Sequence, residues 1–297
     1  MVRLPPPLDS ILPEIEPKAI TNLSGAPGTG KTNLCLLAML HCIQGGGTVT
    51  YIDTEGGFSF QRLAQLLPTY KLILRQINLL EPKNFSEQGA LIRGLKGTDL
   101  VIVDSLSALY RLEFGEEEKR GAEGRGPASP GFHARDGPGA AEAGSHASDP
   151  GMPGPGGGPG SHAREVRPLA EREQSGHARG NGPLGQRGES SHAGPRLPGA
   201  NRELSRQLSL LSLFAREQGV PVVITCHTFR SWDTGREEIS GGEIVRYWSK
   251  GILFLEKTGR PGERKATLVK HRSLPEAATA KFLIDGSGIR PAGFRLF

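Results

Sequence analysis

Short apolar runs alternate with helical patterns over the first hundred residues. Ile20–Ser24 reads as a strand entering a glycine-rich turn, and Lys31–Ile43 as a helix with Leu34, Leu37 and Met39 among its apolar positions. Thr48–Asp53 is the next strand, Phe58–Leu67 the next helix, and Lys71–Ile77 alternates like a further strand. Asn84 and Ser86 stand where caps belong for a helix through Leu95. Leu100–Asp104 is a buried strand, apolar up to its closing acid. Alternation of this kind predicts an α/β fold, a mainly parallel central sheet flanked by helices.

The pattern stops after residue 114. Residues 115–200 carry half of the chain's 42 glycines, many prolines and almost no apolar periodicity. His-Ala pairs recur there at His133, His146, His162, His177 and His192. This reads as a low-complexity, disordered insert, because it holds too little apolar surface to offset the entropy of ordering it. A histidine metal site is disfavoured, since ligands so far apart on a flexible chain bear a large closure entropy. Order returns at Asn201. Leu204, Leu208, Leu211 and Ala215 share one helix face, and Val220–Thr225 is a strand. Gly251–Glu256, Thr267–Lys270 and Lys281–Ile284 are three more, joined by turn-rich links, and predict an antiparallel extension of the sheet. Residues 1–114 and 201–297 together therefore read as one domain.

Composition narrows the compartment. Cys35, Cys42 and Cys226 lie in apolar runs without metal-ligand spacing, which points to buried thiols in a reducing compartment. The start shows no signal-peptide pattern, and the longest apolar run, Leu34–Ile43, is far shorter than the ~20 residues a membrane helix needs. A cytoplasmic protein without a membrane partner is expected. The net charge is +5, and the basic excess falls in residues 201–297, where 16 Lys and Arg face 10 Asp and Glu. A localised basic surface favours a polyanionic partner such as nucleic acid.

Three segments carry candidate chemistry. Gly25-Ala26-Pro27-Gly28-Thr29-Gly30-Lys31-Thr32 matches the phosphate-binding loop in full, after a strand and opening a helix. Its glycines let backbone N–H groups turn toward phosphate oxygens, and the helix N-terminus adds its dipole. Lys31 reaches the β- and γ-phosphates of ATP in such loops, and the Thr32 hydroxyl ligates Mg²⁺. Asp104, closing an apolar strand about 70 residues later, has the Walker B form and is the second Mg²⁺ residue. Tyr51-Ile52-Asp53-Thr54-Glu55-Gly56 puts a carboxylate at a neighbouring strand tip, and Glu55 is the candidate that polarises the attacking water.

These segments resemble the RecA/RadA recombinases, and most closely short archaeal paralogues within that superfamily. Also similar are Leu8-Asp-Ser-Ile-Leu12, Val103-Asp-Ser-Leu-Ser107 and Asn201-Arg-Glu-Leu-Ser-Arg-Gln-Leu208. Gly241-Gly-Glu-Ile244, Trp248-Ser-Lys250 and Lys270-His-Arg-Ser-Leu-Pro-Glu276 complete the match, the last pointing to the short paralogues. The resemblance implies a RecA-like core that binds ATP and Mg²⁺, binds DNA and has weak DNA-linked ATPase activity in recombination and repair. A RadA-type recombinase and a Holliday-junction nuclease are its implied protein partners. Where the superfamily has a Thr-Asn-Gln sensor of the γ-phosphate, this chain has Thr225-Cys226-His227, so His227 is a catalytic candidate with altered chemistry. Arg111 lies at the base of the first DNA-facing loop. The second such loop holds Arg230, Trp232, Arg236 and Arg246, with Trp232 suited to stacking on a base. Lys270, His271 and Arg272 form a further basic cluster. Only 24 residues precede the loop at Gly25, too few for a helical DNA-binding domain and polymerisation motif, which argues against autonomous strand exchange. The competing readings are a KaiC-like regulatory ATPase acting on proteins without DNA, and a nucleotide-gated recombinase adaptor with negligible turnover.

Overall fold

The computed structural model describes residues 1–114, 198–230 and 237–293. The insert, apart from its last residues, with its His-Ala repeat, and Trp232 and Arg236 lie outside the described residues. The described residues belong to one compact unit.

Nine strands form the main run of the sheet. In chain order they begin with β1 (Ile20–Gly25), β2 (Val49–Asp53), β3 (Ile77–Leu80), β4 (Leu100–Asp104) and β5 (Val222–Arg230). β6 (Glu237–Ile239) pairs antiparallel with the end of β5, outside that run. β7 (Gly251–Lys257), β8 (Glu263–Lys270), β9 (Thr279–Asp285) and β10 (Gly288–Pro291) follow. The spatial order is β10-β9-β8-β7-β1-β5-β4-β2-β3. Strands β3, β2, β4, β5, β1 and β7 are parallel, and β8, β9 and β10 extend the sheet antiparallel; the antiparallel extension is as expected, but β7, read as part of it, joins β1 in parallel, and β10 was not expected.

Alternate strand residues feed two cores. Leu23, Tyr51, Leu100 and Ile102 face a cluster with α1 (Lys31–Gln44) and the N-terminal residues Val2, Leu4 and Leu8. Ile20, Ile52, Val101 and Val103 face the other. That second layer contains α3 (Phe85–Arg93), α4 (108–114) and α5 (Pro198–Gln218). It also takes in Val245 of α6 (Gly242–Trp248). Leu204, Leu208, Leu211 and Ala215 are fully buried, so the helix face read from their spacing is the packed one. α2 (Phe60–Leu66) follows β2 and starts on Ser59, whose Oγ accepts from the Arg62 N–H. Asn84 caps α3 in the same way, through the Glu87 N–H.

One expected strand is a helix. Tyr70–Gln76 forms a 3₁₀ helix with no buried residue, and Leu72 is 80% exposed. The strand starts only at Ile77, where Ile77–Leu80 pair with Val49–Ile52 of β2. An apolar run that finds no partner strand has no reason to stay extended. All three cysteines are buried, and burial pushes the Cys226 thiol up to about 12.

Tyr110 of α4 donates its hydroxyl to the Asn201 side chain at 2.7 Å, which ties the two flanks of the insert together. We propose on this ground that residues 1–114 and 201–297 form one domain into which residues 115–200 are inserted. Replacing 115–197 by a short Gly-Ser linker is expected to leave a single cooperative unfolding transition by calorimetry, with Tm lowered by no more than a few degrees.

Candidate active site

The site is built where four parallel strands end side by side. β1 ends at Gly25, and the chain turns through Gly28 (φ 74°) and Gly30 (φ 102°) into α1, with Gly30 as its N-cap. These φ values favour glycine. Gly25 has a second constraint, since a Cβ there would lie 2.3 Å from the Leu255 carbonyl oxygen of β7. β2 and β4 end in register at Asp53 and Asp104, and β5 brings Thr225 and His227 to the same edge. The carboxyl edge of a parallel sheet is where such folds bind ligands.

A cleft of about 530 Å³ opens there. Among its lining residues are Gly28, Lys31, Thr32, Glu55, Asp104 and His227, so the structure brings the candidate nucleotide, metal and acid–base residues together. Lys31 is only 6% exposed and donates to the carbonyls of Gly25 at 2.8 Å and Ala26 at 3.1 Å. Burial lowers its pKa, while Asp104 and Glu55 act to raise it. Asp104 is buried and accepts from two hydroxyls, Tyr51 at 2.8 Å and Thr225 at 2.5 Å. Its carboxylate and the Thr32 hydroxyl are hard oxygen donors on one cleft, a set that fits Mg²⁺, which takes one or two protein ligands and keeps its waters.

His227 departs from the superfamily pattern, and its position explains what it does locally. Its Nε2 lies 2.7 Å from Glu55 Oε1, and its Nδ1 lies 3.4 Å from Lys31 Nζ. The Ser105 hydroxyl donates to the same Glu55 oxygen at 2.6 Å. The bond from His227 is the largest cause that lowers the Glu55 pKa, to about 2. Asp53 has a different job from Glu55. Its carboxylate accepts the backbone N–H groups of Glu55, Gly57 and Phe58 and so shapes the turn that presents Glu55.

The expected DNA residues that the structure describes make different local contacts. Arg111 is exposed on α4, and Arg230 is exposed at the end of β5, across from Glu237. Arg246 lies 3.8 Å from Glu243 on α6. Lys270 donates to the Arg246 carbonyl at 2.6 Å, Arg272 pairs with Glu16 at 2.6 Å, and the His271 side chain is buried. Sequence reasoning passed over Tyr51, Ser105 and Thr225, which hold the two acids, and Arg62 and Arg264, which line the cleft. The Thr225 position was readable from the Thr-Cys-His motif. Arg264 was not, because it reaches the cleft only through the β7–β8 pairing.

Comparison with known proteins agrees with this geometry. An AAA domain model matches residues 2–128. The DNA repair and recombination protein RadB of Methanococcus maripaludis is 28% identical over 279 residues, 93% of each chain. The protein of that name from Methanococcoides burtonii is 27% identical over 291 residues, 96% of this chain and 94% of its own. A crystal structure of the RadB recombinase superposes with a TM-score of 0.59 at 25% identity, covering 96% of both chains. The fold and the cleft are those of a RecA-like P-loop protein. Over nearly its whole length the chain is similar to archaeal proteins named RadB.

The Glu55 contacts predict a titration. A carboxyl whose folded pKa is depressed contributes stability above its ordinary pKa of 4.5, and that contribution is lost as pH falls through about 2. The side chain is 38% exposed, so the effect on stability is small. Carboxyl-carbon NMR is expected to place the wild-type midpoint near 2 and to move it up toward 4.5 in His227→Ala.

Proposed function

We propose that this protein is an ATP-binding, DNA-binding accessory of homologous recombination and repair with weak DNA-linked ATPase activity. The convergence of Lys31, Thr32, Asp104 and Glu55 on one cleft carries the reading. The loop N–H groups and Lys31 would hold the phosphates of ATP, and Thr32 and Asp104 would hold Mg²⁺. The ion would neutralise charge on the transferring phosphate. The relatives' names, DNA repair and recombination protein, support the cellular role. Arg111, Arg230 and Arg246 on the protein surface, with Trp232 and Arg236 in the neighbouring loop, are the proposed DNA contacts. A RadA-type recombinase is the proposed protein partner, and the proposed location is the cytoplasm. Among the described residues no helix is long and apolar enough to cross a membrane.

Slow turnover follows from the hydrogen bonds of Glu55. A carboxylate with a pKa of about 2 takes a proton from water poorly, because an effective base has a pKa near the working pH. On this reading, loss of the His227 contact would make Glu55 a better base. The same observation favours a second reading, a nucleotide-gated adaptor with negligible turnover.

Lys31→Ala is expected to abolish Mg-ATP binding by calorimetry, because the phosphates lose their buried counter-charge. Unchanged affinity in that variant would remove the loop from the proposal. DNA affinity of the wild type, measured across a salt series with and without Mg-ATP, is expected to fall steeply with salt and to change with nucleotide. Absence of DNA binding even at low salt would leave an ATPase directed at protein partners.

A further inference from the structure

The hairpin of β7 and β8 brings two cations to the phosphate-binding loop. Lys257 and Arg264 are cross-strand partners. The Arg264 guanidinium lines the same cleft as Lys31 and Thr32. It donates to the Gly28 carbonyl twice, from Nη2 at 3.1 Å and Nε at 3.3 Å. Its Nη1 donates to the Glu263 carbonyl at 2.9 Å. Lys257 extends over the same loop residue, since a Cβ on Gly28 would come within 3.1 Å of its Nζ.

What these cations lack is a carboxylate. Their hairpin neighbours Lys265 and Glu256 pair with each other at 3.3 Å. Among the described residues, Arg264 and Lys257 have no such ion pair. A guanidinium resting on neutral carbonyls keeps its full charge and has donors to spare. Its strongest complement is a phosphate, which it can grip with two parallel N–H bonds. The hairpin is also held against the loop from behind. A Cβ on Gly30 would lie 2.5 Å from Ile284 Cδ1 of β9, so that side chain packs directly on the loop.

We propose that Arg264, with Lys257 beside it, is a second phosphate-binding arm that contacts the polyphosphate of a nucleoside triphosphate from the hairpin side. On binding, the guanidinium exchanges the Gly28 carbonyl for phosphate oxygens, so the C-terminal strands take part in holding the nucleotide. This rests on the ATP-binding reading above.

The experiment measures Mg-ATP affinity of the full chain across a sodium chloride series for wild type, Arg264→Gln, Arg264→Lys and Lys257→Gln. Arg264→Gln is expected to bind about tenfold more weakly and with a shallower salt dependence, as one direct charge contact is lost. Arg264→Lys should recover part of the loss, Lys257→Gln should show a smaller loss, and thermal unfolding without nucleotide should be unchanged throughout. Wild-type affinity in Arg264→Gln overturns the proposal. So does weaker binding with an unaltered salt dependence, because that is what a residue that only shapes the loop would give. If Arg264→Gln does not fold, Arg264→Lys and Lys257→Gln, read by the same two criteria, decide it. Wild-type protein that does not bind Mg-ATP at all overturns the ATP-binding reading itself, before any variant is compared.

Discussion

An amine almost removed from water sets the terms for this cleft. Lys31 must find acceptors where it is buried, and it finds them in the carbonyls of its own loop, Gly25 and Ala26. It must also sit in a negative field, which Asp104 and Glu55 supply. Those three groups come from β4, from the turn after β2 and from the start of α1, so β1, β5, β4 and β2 have to end side by side. The strand order is what allows it. The two cores then hold that edge in place, with α1 on one face and α5 on the other.

The acids are held unequally. Asp104 is buried and accepts from the hydroxyls of Tyr51 and Thr225, both neutral donors. Glu55 is more exposed, and its principal partner is an imidazole that also faces Lys31. A ring that touches both the Lys31 amine and the Glu55 carboxylate couples their hydrogen bonding.

The parts legible in the sequence were those governed by local rules. The loop at Gly25–Thr32 was readable because φ > 0 and close backbone approach admit few residue types. Asp104 and the helix face of Leu204, Leu208, Leu211 and Ala215 were readable because period and strand context specify them. The 3₁₀ helix at Tyr70–Gln76 was not, since an apolar run carries no record of whether a partner strand will reach it. β6 was also hidden, because Glu237 and Glu238 carry no apolar alternation and the strand exists only as a continuation of β5. Lys270, His271 and Arg272 looked like one basic cluster, yet Lys270 turns to the Arg246 carbonyl while His271 and Arg272 both face Glu16. Proximity in sequence fixes where charges start, while packing decides where they point.

The central position of β1 has a consequence for synthesis. Its two sheet neighbours are β5 and β7, whose residues leave the ribosome about two hundred residues after Ile20 does. Through that interval the strand that begins the loop has both backbone edges unpaired, the condition under which strands associate with the wrong partner. In the folded chain Leu255 and Ile284 lie against Gly25 and Gly30 of that loop. The loop that opens the cleft is thus made early and enclosed late, its sheet neighbours being among the later parts of the growing chain.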